Sequence, residues 1–581
     1  MVDVKKISEI PENYRNWLLL DLLGAIVGVF GGLGAIVFRT VISFNRWLFF
    51  DIILPKISFH VDNLNLGLIF LPAIGGLIVG TLVYRYAPET KGHGVPEVME
   101  AVALKDGSIR KRVAFLKTLV SSITIGSGGS AGIVGPIAQI GASAGSLIGD
   151  ILKLEPRDKR LLVVCGLSSG VAGTFNAPLG GTLFGMELFY HEVGLFNAVP
   201  VILASVIGAT VVTSYYGPQL SLKAENLTFT NPIELPLYFL LGLFFGVLSV
   251  IWVKFFYKVE DFFDGLKIPG KYKATIGGAL TGLIGMFYPT YGIMGVGYEG
   301  IDKALAGEIS LNLLLSLGIL KMISTAFTLG SGGSGGIFAP SLYIGTMLGG
   351  GLGIIFHYLF PSLVNKPFTY SLAGMAALFA GSAQAPLNVI IMITEMSNDY
   401  SLIPPLMLSS VTSFIVSLIF LKGSSIYTLK LERRGVKMRM GRSLILESIK
   451  VKEVMNRDVI TVRADMPISA LELLVEETGH HGFPVIENGE LIGLLTIKDI
   501  SRIPPKLRTK AKVKDLLRLK SKKLIVIHPD NTVQDALEKM YHEDVGRLPV
   551  VDPRNNKKVI GIITRSDIIR AYKLAIVKII D

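Results

Sequence analysis

Two eleven-residue stretches hold the residue types that bind an anion without a full cation. Residues 126–136 read GSGGSAGIVGP, and residues 330–340 read GSGGSGGIFAP. Serial glycines let backbone amides turn into a cavity, and proline suits the first turn of a helix. A helix start presents unpaired N–H groups and about half a positive charge. A third break, Gly92-His93-Gly94-Val95-Pro96-Glu97, follows the same logic before another helix. Three helix starts that converge would hold an anion weakly enough to release it. Close helix packing through small residues also uses Gly and Ser. Three proline-terminated motifs, two of them duplicates, favour the binding reading.

The elements that would position these motifs cross a membrane. Apolar runs long enough for about 30 Å of hydrocarbon occur at roughly 17–44, 66–84, 195–214, 235–256 and 403–421. Runs at 113–129, 133–150, 160–190, 274–290, 311–328, 337–358 and 370–396 read as shorter, or cut by Gly and Pro. Such breaks survive at membrane depth only where backbone is buried in protein or lines a wet cavity. Lys105, Arg110, Lys111 and Arg112 precede residues 113–152, and Lys153, Arg157, Lys159 and Arg160 follow them. Both ends of that piece should therefore lie in the cytoplasm, with the Gly126–Pro136 break inside the membrane.

The chain repeats itself twice over. Residues 126–145 and 330–349 are identical at eleven of twenty positions, at an offset of 204. Residues 165–188 echo 373–396 at an offset of 208, sharing Ala-Pro-Leu and a glutamate. A duplicated membrane part with broken helices in matching places points to a transport fold with its site at the repeat interface. Buried carboxylates at the equivalent positions Glu187 and Glu395 should cap neighbouring backbone N–H groups, because unpaired charge there is costly. Residues 451–502 and 513–570 form the second repeat, each reading helix, strand, helix, strand, turn, strand, helix, around the linker SRIPPKLRTKAK.

Composition agrees with this division. Half of the 581 residues are hydrophobic and 18% are charged, yet the net charge is +12. Residues 1–429 carry 27 Lys+Arg against 25 Asp+Glu, and residues 430–581 carry 30 against 20. The first part is too apolar for water, and the second has the charge of an ordinary soluble domain. Disorder, a disulfide-stapled secreted protein and a purely cytosolic enzyme are excluded. The lone Cys165 reads as a buried thiol, and MVDVKKISEIPENYRN has no signal-peptide order.

In these motifs the chain resembles the CLC family of chloride channels and proton/chloride exchangers. Gly92–Pro96 is similar to the family's GSGIP, Gly132–Pro136 to GREGP and Gly336–Pro340 to GxFxP. Tyr427 matches the tyrosine after the last membrane helix. The resemblance implies an α-helical polytopic membrane protein with the CLC fold: inverted-topology repeats with broken helices, plus an α/β cytoplasmic pair of CBS domains. The transmembrane domain would span 1–429, with repeat halves about 66–215 and 274–421 and a linker at 430–448. A homodimer in the cell membrane, multi-pass and with both termini cytoplasmic, would carry one anion path per subunit. Backbone N–H of Ile337 and Phe338, with Ala339 beside them, and the Tyr427 hydroxyl would hold chloride or a related anion. Amides around Ile133, Val134 and Gly135 would hold it further out.

The departures carry as much meaning. The family's gating glutamate falls on Val134, and the arginine before it on Ile133. Aligned on Asn176-Ala177-Pro178-Leu179, the exchangers' internal proton glutamate falls on Leu188. Without either titratable group, anion movement should be passive; the alternative is a proton-coupled exchanger using other carboxylates. His93 replaces the serine that donates to the anion. A neutral imidazole could still donate N–H, or could turn to the cytoplasmic vestibule. The swap leaves chloride, nitrate, bromide and fluoride open.

Residues 449–505 and 511–575 resemble a tandem CBS pair, each with G-h-h-T-x-x-D: Gly493 to Asp499 and Gly561 to Asp567. In pairs that bind ATP, ADP or AMP, the aspartate takes ribose hydroxyls and the threonine a phosphate. Thr496, Asp499, Thr564 and Asp567 are the candidates here, while other CBS pairs only dimerise. The basic surplus faces the anionic lipid leaflet or the membrane part, and no nucleic-acid motif appears. A transporter of another ion is a more distant reading. No nucleophile–base pair, metal-ligand spacing or P-loop supports an enzyme, a required cofactor or a metal site.

Overall fold

Proline in the first turn starts helices in this chain, and residues able to turn left-handed end them. A computed structural model describes residues 12–580, apart from 63, 191–194, 219–221, 223–226, 437, 440–441, 444–445, 447–448 and 520–523. Parts of the 430–448 linker and residues 1–11 of the N-terminal segment therefore lie outside the described residues. The described chain divides into two compact units near residue 433.

The first unit is helical. Among its elements are α1 (Glu12–Arg46), α2 (Gly67–Tyr86), α3 (Val95–Leu104), α4 (Arg112–Gly126), α5 (Val134–Ile151), α6 (Pro156–Phe175), α7 (Pro178–Phe189) and α8 (Leu195–Tyr216). Then come α9 (Leu235–Gly265), α10 (Gly270–Gly285), α11 (Tyr298–Leu305), α12 (Leu311–Gly330), α13 (Phe338–Leu359), α14 (Thr369–Ala383), α15 (Pro386–Ser397), α16 (Ile403–Leu421) and α17 (Thr428–Arg433). The expected breaks are present. Asn176, at φ 51°, separates α6 from α7, and Gln384, at φ 60°, separates α14 from α15.

Among the described residues, seven helical stretches are long and apolar enough to span a membrane. Two of them, 311–330 and 338–359, correct the sequence reading, which had cut both. Pro340 lies in the first turn of α13 and interrupts nothing. The glycines of α13 are packing surfaces, since a Cβ on Gly345 would meet the Gly374 carbonyl oxygen at 2.4 Å. Lys321, the charge inside α12, is fully buried and bonded to carbonyls.

The two halves are related by a two-fold axis, because their hydrogen bonds are exchanged. Ser334 Oγ meets Ser121 Oγ at 2.9 Å, and the equivalent Ser130 Oγ meets Thr325 Oγ1 at 2.9 Å. Ser130 N–H donates to Thr328 Oγ1, and Ser334 N–H donates to Thr124 Oγ1. A purely translational repeat would not return each contact in this way. The duplicates are inverted partners.

The second unit contains α18 (Val451–Val454), β1 (Val462–Arg463), α19 (Ile468–Thr478), β2 (Gly482–Glu487), β3 (Glu490–Thr496), α20 (Ile497–Ile500), α21 (Val513–Leu519), α22 (Val533–His542), β4 (Arg547–Asp552), β5 (Asn555–Thr564) and α23 (Arg565–Ile580). In the first repeat β1 pairs parallel to β2, and β2 antiparallel to β3. Among the described residues the second repeat shows no counterpart of the expected first strand; a single parallel bridge, Ile527 to Val550, stands in its place. The cores are also crossed. Val451 of the first repeat packs with Val533, Leu548 and Ile563 of the second, whereas Val513 and Leu516 pack with Leu471 and Phe483 of the first.

Candidate anion site

The two duplicated glycine loops meet each other. Gly132 N–H donates to Gly336 O at 2.7 Å, and Gly336 N–H returns the bond to Gly132 O at 2.6 Å. The third loop joins them, with Gly92 N–H on Gly333 O at 3.0 Å and Gly335 N–H on Gly92 O at 3.2 Å. Only a bare backbone fits: a Cβ on Gly135 would lie 1.9 Å from His93 O, and one on Gly336 would lie 2.8 Å from Gly135 N.

Beyond this crossing, α5 and α13 begin. Ile133 and Ile337 are their N-caps, and neither cap supplies a side-chain acceptor. The amides of Ile133, Val134 and Gly135, and those of Ile337, Phe338 and Ala339, meet no hydrogen-bond acceptor among the described residues. All six residues are buried. Buried amides are ordinarily paired, so two facing helix starts with open amides form a site for an acceptor from outside the chain.

Aromatic rings close the site. Phe338 packs on Phe379 at 4.5 Å between ring centroids, and Phe379 lies 6.4 Å from Tyr427. Tyr427 is 1% exposed, and its hydroxyl bonds to no described residue. His93 is also 1% exposed, its ring 5.7 Å from Tyr427 and 6.0 Å from Phe256. The imidazole is therefore packed inside the protein beside Tyr427, and is not turned out to a vestibule.

Second-layer contacts hold these groups. Tyr257 donates its hydroxyl to Ile426 O at 2.6 Å, and Ile426 N–H donates to Ser382 O at 2.8 Å. Lys430, three residues after Tyr427, forms a buried ion pair with Glu97 at 2.9 Å and also bonds Lys91 O. The segment carrying Tyr427 is thereby tied to the loop carrying His93.

Two lysines were missed from sequence. Lys117 is fully buried and donates to Thr90 O and Gly92 O, at 3.0 and 2.9 Å. Lys321, at the same offset of 204, donates to Gly292 O, Ile293 O and Gly295 O. That offset was the available signal. The loop held by Lys321 is a fourth break, Gly295-Val296-Gly297 before α11, hidden because no proline follows it.

Leu188 is 4% exposed in α7, and its neighbour Glu187 is already engaged. Glu187 accepts from Leu387 N–H and Asn388 N–H, at 3.0 and 2.7 Å. Glu395 accepts from Leu179 N–H and Gly180 N–H, at 3.1 and 2.7 Å. Each carboxylate caps the helix start of the opposite half, the capping role expected of both.

Residues 75–418 match the family model for the voltage gated chloride channel, over more than half of the chain. The chain belongs to the CLC family. It is a multi-pass membrane anion transporter of that family. It is 30% identical over 450 residues to the H(+)/Cl(-) exchange transporter ClcA of Yersinia pestis, covering 76% of this chain and 93% of that one. It is 29% identical to the transporter of the same name from Salmonella paratyphi B, covering 74% and 91%. Among solved structures, it is similar to a slow cyanobacterial Cl-/H+ antiporter, at 27% identity and a TM-score of 0.63, covering 72% of this chain and 97% of that one. A eukaryotic CLC transporter, 21% identical with a TM-score of 0.62, shares the fold over 95% of this chain and 98% of its own.

This CLC protein also matches the CBS domain model, at residues 451–506 and 513–574. Its two threonine–aspartate pairs differ in setting. Asp499 is 7% exposed and accepts from Thr496 N–H and Oγ1, at 2.9 and 2.8 Å. Asp567 makes the equivalent bonds to Thr564, at 3.0 and 2.6 Å, but this pair lines a cavity of about 620 Å³. Arg547, Arg570, His480 and Asp458 also line it, whereas Thr496 and Asp499 do not. Arg570 pairs with Asp567 at 3.1 Å. Desolvation pulls the Arg547 guanidinium below its usual pKa range.

Proposed function

We propose that this CLC protein conducts chloride or a similar small anion passively, as a homodimer with one path per subunit and both termini cytoplasmic. The single observation that carries the reading is Val134, fully buried at the first position of α5 beside the open amides. A valine neither carries a proton nor competes with an anion. Leu188 offers no proton relay, and Glu187 and Glu395 are held by backbone N–H. The named relatives are exchangers, so coupling is the competing outcome. Liposomes reconstituted with the protein should release chloride down its gradient without moving protons. Uphill proton movement driven by chloride alone would overturn the reading.

The CBS pair supplies regulation through an adenine nucleotide in the Thr564–Asp567 cavity. Arg547 and Arg570 there suit phosphate oxygens. Asp567→Ala should weaken binding of ATP, ADP or AMP about tenfold or more in calorimetry, through loss of a charged hydrogen bond. Asp499→Ala should instead leave affinity near the wild-type value and lower thermal stability, because that carboxylate caps α20. Equal losses of affinity from both would sink the assignment to one cavity.

A further inference from the structure

A second chamber lies at the start of α5 and at the C-terminal end of α6, whose first turns carry Arg157, Lys159 and Arg160. It holds about 290 Å³ and is lined by Ile133, the N-cap of α5, together with Arg39, Asn176, Thr213, Tyr216 and Tyr298. At about 30 Å³ per water, it has room for an anion with part of its hydration shell. Among the described residues, no carboxylate lines it.

Among the described residues, Arg39 is the one charged side chain in this lining, and it lies inside an apolar membrane-spanning stretch. Charge in such a place is costly and ordinarily paired. Arg39 makes no ion pair among the described residues; its guanidinium rests over the Tyr216 ring, 4.6 Å from the centroid. Stacking fixes the group but leaves its charge uncompensated. A second observation points the same way. The Tyr298 hydroxyl is buried, lines the same chamber and has no hydrogen-bond partner among the described residues. Thr213 donates to the Asn176 carboxamide oxygen at 3.0 Å, which leaves the amide's N–H₂ end as a further donor. Glu299, the carboxylate beside Tyr298 in sequence, is engaged by Arg46 at 2.9 Å.

We infer that Arg39 and the Tyr298 hydroxyl form an anion-binding site of their own, a staging post that concentrates small monovalent anions before the Ile133–Gly135 amides. It replaces with a side chain of α1 the positive charge that the apolar Ile133 cannot supply. The inference rests on reading the start of α5 as part of the anion path. Focused positive potential in a low-dielectric chamber raises local anion concentration and entry rate.

The test measures chloride efflux from liposomes over a range of chloride concentrations, with proton movement recorded alongside. Arg39→Gln should raise the half-saturating chloride about tenfold while rates converge at saturation, Arg39→Lys should stay within about threefold of wild type, and Tyr298→Phe should raise it about threefold. Unchanged half-saturation in Arg39→Gln, with a wild-type size-exclusion profile, would overturn the inference. Should that variant not fold, Tyr298→Phe decides, and unchanged half-saturation there overturns it equally. Proton coupling in the wild type would refute passive conduction without touching these shifts, so the two failures are distinguishable.

Discussion

Val134→Glu should slow chloride efflux about tenfold at neutral pH and regain most of it only as pH falls below about 4. The first turn of α5 supplies the reason. A carboxylate at a helix start is held by about 0.3–2 kcal/mol of dipole and hydrogen-bond energy, and about 1.4 kcal/mol is a factor of ten in occupancy. Val134 is fully buried next to amides without acceptors, so an added carboxylate would occupy the place of the anion. Protonation below the ordinary glutamate range would discharge it and free the amides. The signature is a flux rising with acidity in the variant beside a flat profile in the parent. A neutral Val134→Gln should slow efflux less and show no such pH dependence. If Val134→Glu conducts like the parent at every pH, then the start of α5 is not on the path.

Glu187→Ala should destabilise the fold by about 2 kcal/mol or more, because two charge-assisted hydrogen bonds to the start of α15 would be lost. Glu395→Ala should do the same at the start of α7. Glutamine at either place keeps an acceptor, and should recover about half of the loss. The readout is the temperature at which the detergent-solubilised protein leaves the main size-exclusion peak, measured alongside chloride and proton flux. A structural carboxylate moves the temperature and leaves the proton signal where it was. Abolition of a measurable proton flux by Glu187→Gln would instead make Glu187 a proton carrier, and would favour exchange over passive conduction.

How far the sequence could be read follows from which signals are local. The glycine loops, their prolines and the offset of 204 located the starts of α3, α5 and α13, because special backbone demands special residues. The capping by Glu187 and Glu395 was legible because a buried carboxylate has few ways to be satisfied. Two kinds of feature escaped. Lys117 and Lys321 were not singled out, since a single letter cannot say that an ammonium will find carbonyls 25 to 29 residues away. The α11 break lacked its proline, and α12 and α13 proved unbroken because glycine inside a helix can be a contact surface as well as a stop. In the second unit, the crossed cores exchange short apolar stretches of similar pattern, so Val451 and Val513 look alike until their neighbours are seen.

The two buried ammonium groups have a consequence for which ions the centre tolerates. A cation passing through a protein looks for lone pairs, and loops rich in glycine normally offer many. Lys117 and Lys321 between them occupy five carbonyl oxygens of the loops around the crossing: those of Thr90, Gly92, Gly292, Ile293 and Gly295. The crossing itself absorbs those of Gly132 and Gly336. With these electron pairs already spent, the amides of Ile133, Val134, Gly135, Ile337, Phe338 and Ala339 are left open there. Discrimination against potassium or sodium would then owe as much to the silencing of these oxygens as to the amides that remain, and it needs no net charge on the ion path.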